Sequence, residues 1–82
     1  MMNKRIGVVA IIVEKKESVE MVNKLLSEFG ELIVGRMGVP YKEKNVSVIS
    51  IIVDGTTDEI GALTGKLGRL YGVTVKSALT KK

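Results

Sequence analysis

The sequence contains no cysteine, no histidine and no tryptophan, and a single proline. Its only aromatic residues are Phe29, Tyr41 and Tyr71. Without cysteine there is no disulfide, thiolate nucleophile or thiolate metal ligand. Without histidine the usual general base near neutral pH is missing, along with the commonest metal ligand. The acidic residues number nine and are scattered rather than clustered, so no carboxylate metal site is expected and no cofactor is implied. The shortage of aromatics means that any core is aliphatic. No run approaches the roughly 20 apolar residues of a membrane span.

What is present is an aliphatic-rich chain of 82 residues, 45% hydrophobic, with a net charge of +4. That length suits one domain with a thin core, taken as 1–82. The positive charge is dispersed over Lys4-Arg5, Lys15-Lys16, Lys42, Lys44 and Lys81-Lys82, and most of these have Glu neighbours. No contiguous basic stripe forms, so direct DNA binding is not expected. Lys4-Arg5 before an apolar run could pass for a secretory leader. That run is followed by Glu14-Lys15-Lys16-Glu17 and has no small-residue cleavage site, so it reads as a buried strand and the cytoplasm as the default location.

Six segments follow one another. Ile6 to Val13 is mostly β-branched and suits a central strand. Ser18 is a candidate N-cap for an amphipathic helix in which Val19, Val22, Leu25, Leu26 and Phe29 share a face, with Gly30 as its stop. Leu32 to Val39 is a second strand, with Gly35 and Gly38 hinting at a bulge and Pro40 as its end. Val46 to Asp54 is a third. Thr56 and Glu59 have the spacing of a capping box for a helix with Ile60, Leu63, Leu67 and Leu70 on one face, closed by Gly72. Val73 to Leu79 is the last strand. The order βαββαβ is that of an α+β, ferredoxin-like fold. Right-handed crossovers put both helices on one face of an antiparallel sheet ordered 4-1-3-2.

A lone domain of this kind should have central strands that alternate apolar and polar residues. These do not. Ile6, Val8, Ala10 and Ile12 alternate with Gly7, Val9, Ile11 and Val13; Val46, Val48, Ser50 and Ile52 alternate with Ser47, Ile49, Ile51 and Val53. Whichever set meets the helices, the other leaves a contiguous apolar face, unusual on a soluble monomer. A homo-oligomer, dimer or tetramer, is therefore expected through the sheet, with Val9, Ile11, Val13, Ile49, Ile51 and Val53 assigned to the interface. Gly61, Gly65 and Gly68 share one face of the second helix, where each interior glycine costs about 1 kcal/mol relative to alanine. A subunit or ligand approaching the helix backbone would explain them, and so would tolerated weak residues.

Chemistry is sparse. An RNA-recognition sheet needs aromatics on its central strands, which have none. A heavy-metal carrier needs paired cysteines, and a phosphoryl-hydrolysing enzyme of this shape needs arginine in the first strand–helix loop. No nucleophile–base pair can be assembled, so no enzyme is expected. Binding remains. Arg36 could hold a carboxylate or phosphate bidentately, or serve as an edge-strand charge against aggregation. Thr56 and Thr57 stand where helix N-terminal amides attract anions, or simply cap the helix. Tyr41 opens the polar turn, Tyr41 to Asn45, that follows the second strand.

Three stretches carry a family likeness: Arg5-Ile6-Gly7-Val8-Val9-Ala10-Ile11-Ile12-Val13, Ile33-Val34-Gly35-Arg36-Met37-Gly38-Val39-Pro40-Tyr41, and Ser47-Val48-Ile49-Ser50 onward through Asp54-Gly55-Thr56-Thr57-Asp58-Glu59 to Gly68. Through them the chain resembles the iron-only hydrogenase system regulators, short ACT-like proteins. That family in turn is similar to the tetrameric effector-binding domain of nickel-responsive ribbon-helix-helix repressors. The resemblance implies the fold, oligomerisation and a regulatory role. Nickel binding in those repressors uses histidine and cysteine, absent here, and DNA binding uses an N-terminal segment, whereas this sequence begins at the first strand. The glycine typical of the first strand–helix loop in amino-acid-binding ACT domains is also missing. The expectation is a regulatory module that senses a small ligand near Arg36, Tyr41, Thr56 and Thr57, or docks on a partner protein. A purely structural interaction subunit is the alternative, with nucleic-acid binding weaker.

Overall fold

A computed structural model describes residues 4–81. The strand β1 (Lys4–Val13) leads through a short 3₁₀ turn (Lys16–Ser18) to the helix α1 (Val19–Glu28), and a second 3₁₀ turn (Gly30–Leu32) follows. Then come β2 (Ile33–Tyr41), β3 (Val46–Thr56), α2 (Thr57–Gly68) and β4 (Val73–Leu79). The four strands form one antiparallel sheet in the order β2-β3-β1-β4, so the expected 4-1-3-2 arrangement is observed, read from the other edge.

Both helices press their apolar stripes on one side of this sheet. Val22, Leu25 and Leu26 of α1 and Ile60, Leu63 and Leu67 of α2 close over Val9, Ile11 and Val13 of β1 and Ile49, Ile51 and Val53 of β3. Phe29, Ile33, Leu70, Val73 and Val75 seal the margins. This overturns the assignment of the interface. Val9, Ile11, Ile51 and Val53 are fully buried within the chain, with Val13 and Ile49 nearly so, and none can meet a second subunit. The open face belongs to the other alternating set.

Several local expectations also shift. Pro40 does not end β2, which runs on to Tyr41; β2 is an edge strand, where a missing N–H can point away from the ladder. The bulge hinted at by Gly35 is present as a register shift between Ile33 and Gly35. Ser18 occupies the N-cap position of α1 but makes no side-chain cap bond. Its hydroxyl is buried and donates to the carbonyl of Tyr71 at 2.6 Å. α1 ends before Gly30, which opens the second 3₁₀ turn, and α2 ends before Gly72. Gly72 adopts φ 71° in the turn ahead of β4, a conformation that favours glycine. A Cβ there would also strike the Lys15 side chain. The capping box of α2 forms as expected: the Glu59 amide donates to Thr56 Oγ1 at 3.1 Å, and the Thr56 amide donates to Glu59 Oε1 at 2.9 Å.

Candidate functional site

The strand register lays the open sheet face out as a grid. One row runs Val39–Val48–Ile12–Thr74, the next Met37–Ser50–Ala10–Lys76, and a third Gly35–Ile52–Val8–Ala78. Ile6 and Tyr41 extend it at opposite ends. Ile6, Val8, Ile12, Met37, Val39, Tyr41 and Ile52 are all exposed, Met37 by 66% and Ile52 by 45%. Lys76 is the only charged residue within these three rows, and it sits on an edge strand. The middle row holds Ser50 and Ala10 at its centre, a low strip between two aliphatic ridges. Four strands at about 4.8 Å spacing and eight residues at about 3.3 Å rise give a face of roughly 500 Å2.

A cavity of about 300 Å3 lies at the end of the sheet where β1 stops and the β2–β3 hairpin turns. Val13, Val19, Pro40 and Val46 supply its apolar lining; Tyr41, Asn45 and Ser47 supply polar groups. Its two charged residues are Lys16 and Lys42, and no carboxylate lines it. Backbone ties fix both walls. On one side Ser18 bonds to Tyr71, the Glu14 amide donates to the Gly72 carbonyl at 2.7 Å, and Lys15 Nζ rests 5.6 Å from the Tyr71 ring centre. On the other, the Lys44 and Asn45 amides donate to the carbonyls of Tyr41 and Lys42, with Asn45 at φ 58°, a region that asparagine tolerates well.

The four residues expected to share a ligand site do not converge within one chain. Tyr41 borders the cavity, whereas Thr56 and Thr57 stand at the far end of β3. The 11 residues of that strand, at about 3.3 Å each, separate them by roughly 35 Å. Arg36 lies opposite Ile51 on the helix side, where Nη2 donates to Asn23 Oδ1 at 3.1 Å. Thr56 is engaged in the cap, and its amide holds the Glu59 carboxyl below the usual carboxylate range, helped by the Thr56 hydroxyl and the charge of Lys4. Gly61, Gly65 and Gly68 face open space, with no atom near enough to meet an added Cβ. The residues missed from the sequence are Lys16, Lys42, Asn45 and Ser47. The available signal was topological: in an antiparallel sheet of this order the loop after β1 and the β2–β3 hairpin fall at the same end.

Among the described residues there is no group of three or more metal-ligating side chains, and no helix is long and apolar enough to cross a membrane. Lys82, one of the terminal basic pair, lies outside the described residues.

Comparison with known proteins follows the same lines. The model of the TM1266-like family, described as "Iron-only hydrogenase system regulator, putative", matches residues 5–77. The structure of the uncharacterized protein TM1266 from Thermotoga maritima is 39% identical, with a TM-score of 0.91, covering 96% of this chain and 100% of that one. A "putative glycine cleavage system transcriptional repressor" shares the fold at a TM-score of 0.69 and 13% identity, covering 96% of this chain and 47% of that one. So does the nitrogen regulatory PII-like protein CPII from Thiomonas intermedia K12, in its complex with ADP, AMP and acetate. There the TM-score is 0.53 and the identity 17%, covering 99% of this chain and 94% of that one. No curated protein matches the chain.

Proposed function

Because the chain belongs to the TM1266-like family of iron-only hydrogenase system regulators, we propose that it is a non-catalytic regulatory module that works as a homo-oligomer closed through the open sheet face. The observation that carries this reading is the aliphatic grid in which exposed Val8, Ile12 and Ile52 surround half-buried Val48. Two such faces at about 10 Å spacing would bury roughly 1,000 Å2, enough for a specific interface. A second copy fits the face better than a highly charged partner, since its three central rows offer ridges, a low strip and only Lys76, with Asp54 at the margin opposite Ile6. Such an assembly would act by sensing a small ligand or by docking on a protein of the regulated system.

Sedimentation or light scattering tests the assembly. The wild-type chain should be at least dimeric at micromolar concentration. Ile52→Glu, which sets a charge opposite Val8 in the centre of the face, should be monomeric while keeping the circular dichroism of the folded chain. A monomeric wild type would refute the reading.

A further inference from the structure

We propose that the cavity between the β1–α1 turn and the β2–β3 hairpin binds a small organic anion, a carboxylate or phosphate carried on an apolar body. Lys16 and Lys42 take the charged head, and the valines of the floor take the body. The proposal names the ligand class for the ligand-sensing part of the regulatory reading and rests on that reading only for its purpose, because every lining residue comes from one chain.

Three observations point the same way. Both charged residues of the cavity are cations, from two loops far apart in sequence, and no carboxylate lines it to neutralise them. A neutral or cationic ligand would draw no attraction from these two cations, whereas an anion gains from both. The rest of the lining is divided between aliphatic surface from Val13, Val19 and Val46 and hydrogen-bonding groups from Tyr41, Asn45 and Ser47. That mixture orients a molecule with one polar end and one apolar end, whereas a bare inorganic ion would make no use of the valines. Finally, the volume of about 300 Å3 is at the small end of the range for metabolite sites, which sets the size of the body.

The site is held ready on both sides. The turn carrying Lys16 is fastened to the α2–β4 turn by Ser18 and by the Glu14 amide, and the hairpin carrying Lys42 is closed by its own two backbone bonds. A ligand bridging Lys16 and Lys42 would clasp the hairpin to the β1–α1 turn. Tyr41 and Val46, which border the cavity, also close the last cross-strand pair of β2 and β3 beside the open face. A bound ligand would therefore sit next to the surface through which copies would associate.

Amide NMR titration of the full chain with phenylacetate, phenyl phosphate, neutral phenylacetamide and inorganic phosphate tests this. Phenylacetate or phenyl phosphate should shift the amides of Lys16, Lys42, Asn45 and Ser47 saturably. Phenylacetamide and inorganic phosphate should each bind at least tenfold more weakly. Which of the two acids binds tighter identifies the preferred head group. Lys16→Gln and Lys42→Gln, both at exposed positions, should each weaken the better acid about five- to tenfold. Added salt should weaken it further. Equal binding of acid and amide, equal binding of phenyl phosphate and inorganic phosphate, shifts centred elsewhere, or no saturable shift with either acid would each overturn the proposal. Repeating the titration on Ile52→Glu separates the two readings: retained binding by a monomeric variant supports the site whatever the fate of the assembly.

Discussion

Replacing Gly61 and Gly65 by alanine should stabilise this protein, and the size of the gain follows from the structure. Both residues lie inside α2 with nothing within 4 Å of the position a Cβ would take, so the methyl groups meet no neighbour in the chain. Each substitution then acts mainly through the unfolded chain, which loses freedom it would otherwise give up on folding, for about 1 kcal/mol per site. Unfolding entropy of about 2.1 cal/mol/K per residue over 82 residues gives roughly 0.17 kcal/mol/K, so each site should raise Tm by about 6 °C. The double variant should gain about 12 °C by circular dichroism melting, measured at several protein concentrations because association also moves Tm. A fall in Tm would refute the reasoning. A fall that appears only at high concentration would mean that a second copy packs against the bare helix backbone.

Gly7 should respond in the opposite sense. Its Cβ would run into the Leu79 side chain and come within 2.6 Å of the Ala78 carbonyl oxygen, so Gly7→Ala must push β4 from β1 and should cost about 1–3 kcal/mol in denaturant unfolding. Thr56→Ala removes the acceptor for the Glu59 amide and should cost about 1 kcal/mol in the same assay. Leu63→Ala opens a void where the side chain is fully buried, for about 2–5 kcal/mol; an unchanged midpoint would contradict the packing described. The Glu59 carboxyl titrates lower in the folded chain than in the unfolded one. Its contribution is therefore complete above the ordinary carboxylate range and fades as pH falls through the folded value. Glu59→Gln should flatten that part of the melting-temperature profile and leave neutral pH nearly flat, as before.

Element order was legible because each segment announces itself independently. The stripe Val19–Val22–Leu25–Leu26–Phe29 admits only a helix, the Thr56–Glu59 spacing fixes where α2 begins, and the chirality of crossovers then selects the sheet order. The face of the sheet was not legible from β1 and β3, since both alternating sets in those strands are aliphatic and either could be the inner one. The edge strand breaks the tie. In β4, Val73 and Val75 alternate with Thr74 and Lys76, and Val75 pairs with Ile11, so the Ile11 set must be the covered one. The cavity was hidden for a different reason. It is made by two loops distant in the chain, and single lysines in loops look like ordinary solvated charges until the fold brings both to the border of one cavity.

The position of β4 bears on how the chain is made. β4 forms one whole edge of the sheet and pairs only with β1, Gly7 opposite Leu79 and Val13 opposite Val73, so β1 waits for a strand made about 60 residues later. Until β4 leaves the ribosome, β1 presents a bare hydrogen-bonding edge and an aliphatic surface that only α1, β3 and α2 can shelter. Sheets closed by such distant partners fold slowly and are exposed to mispairing meanwhile. A chain stalled before Val73 would thus be a candidate for capture by chaperones.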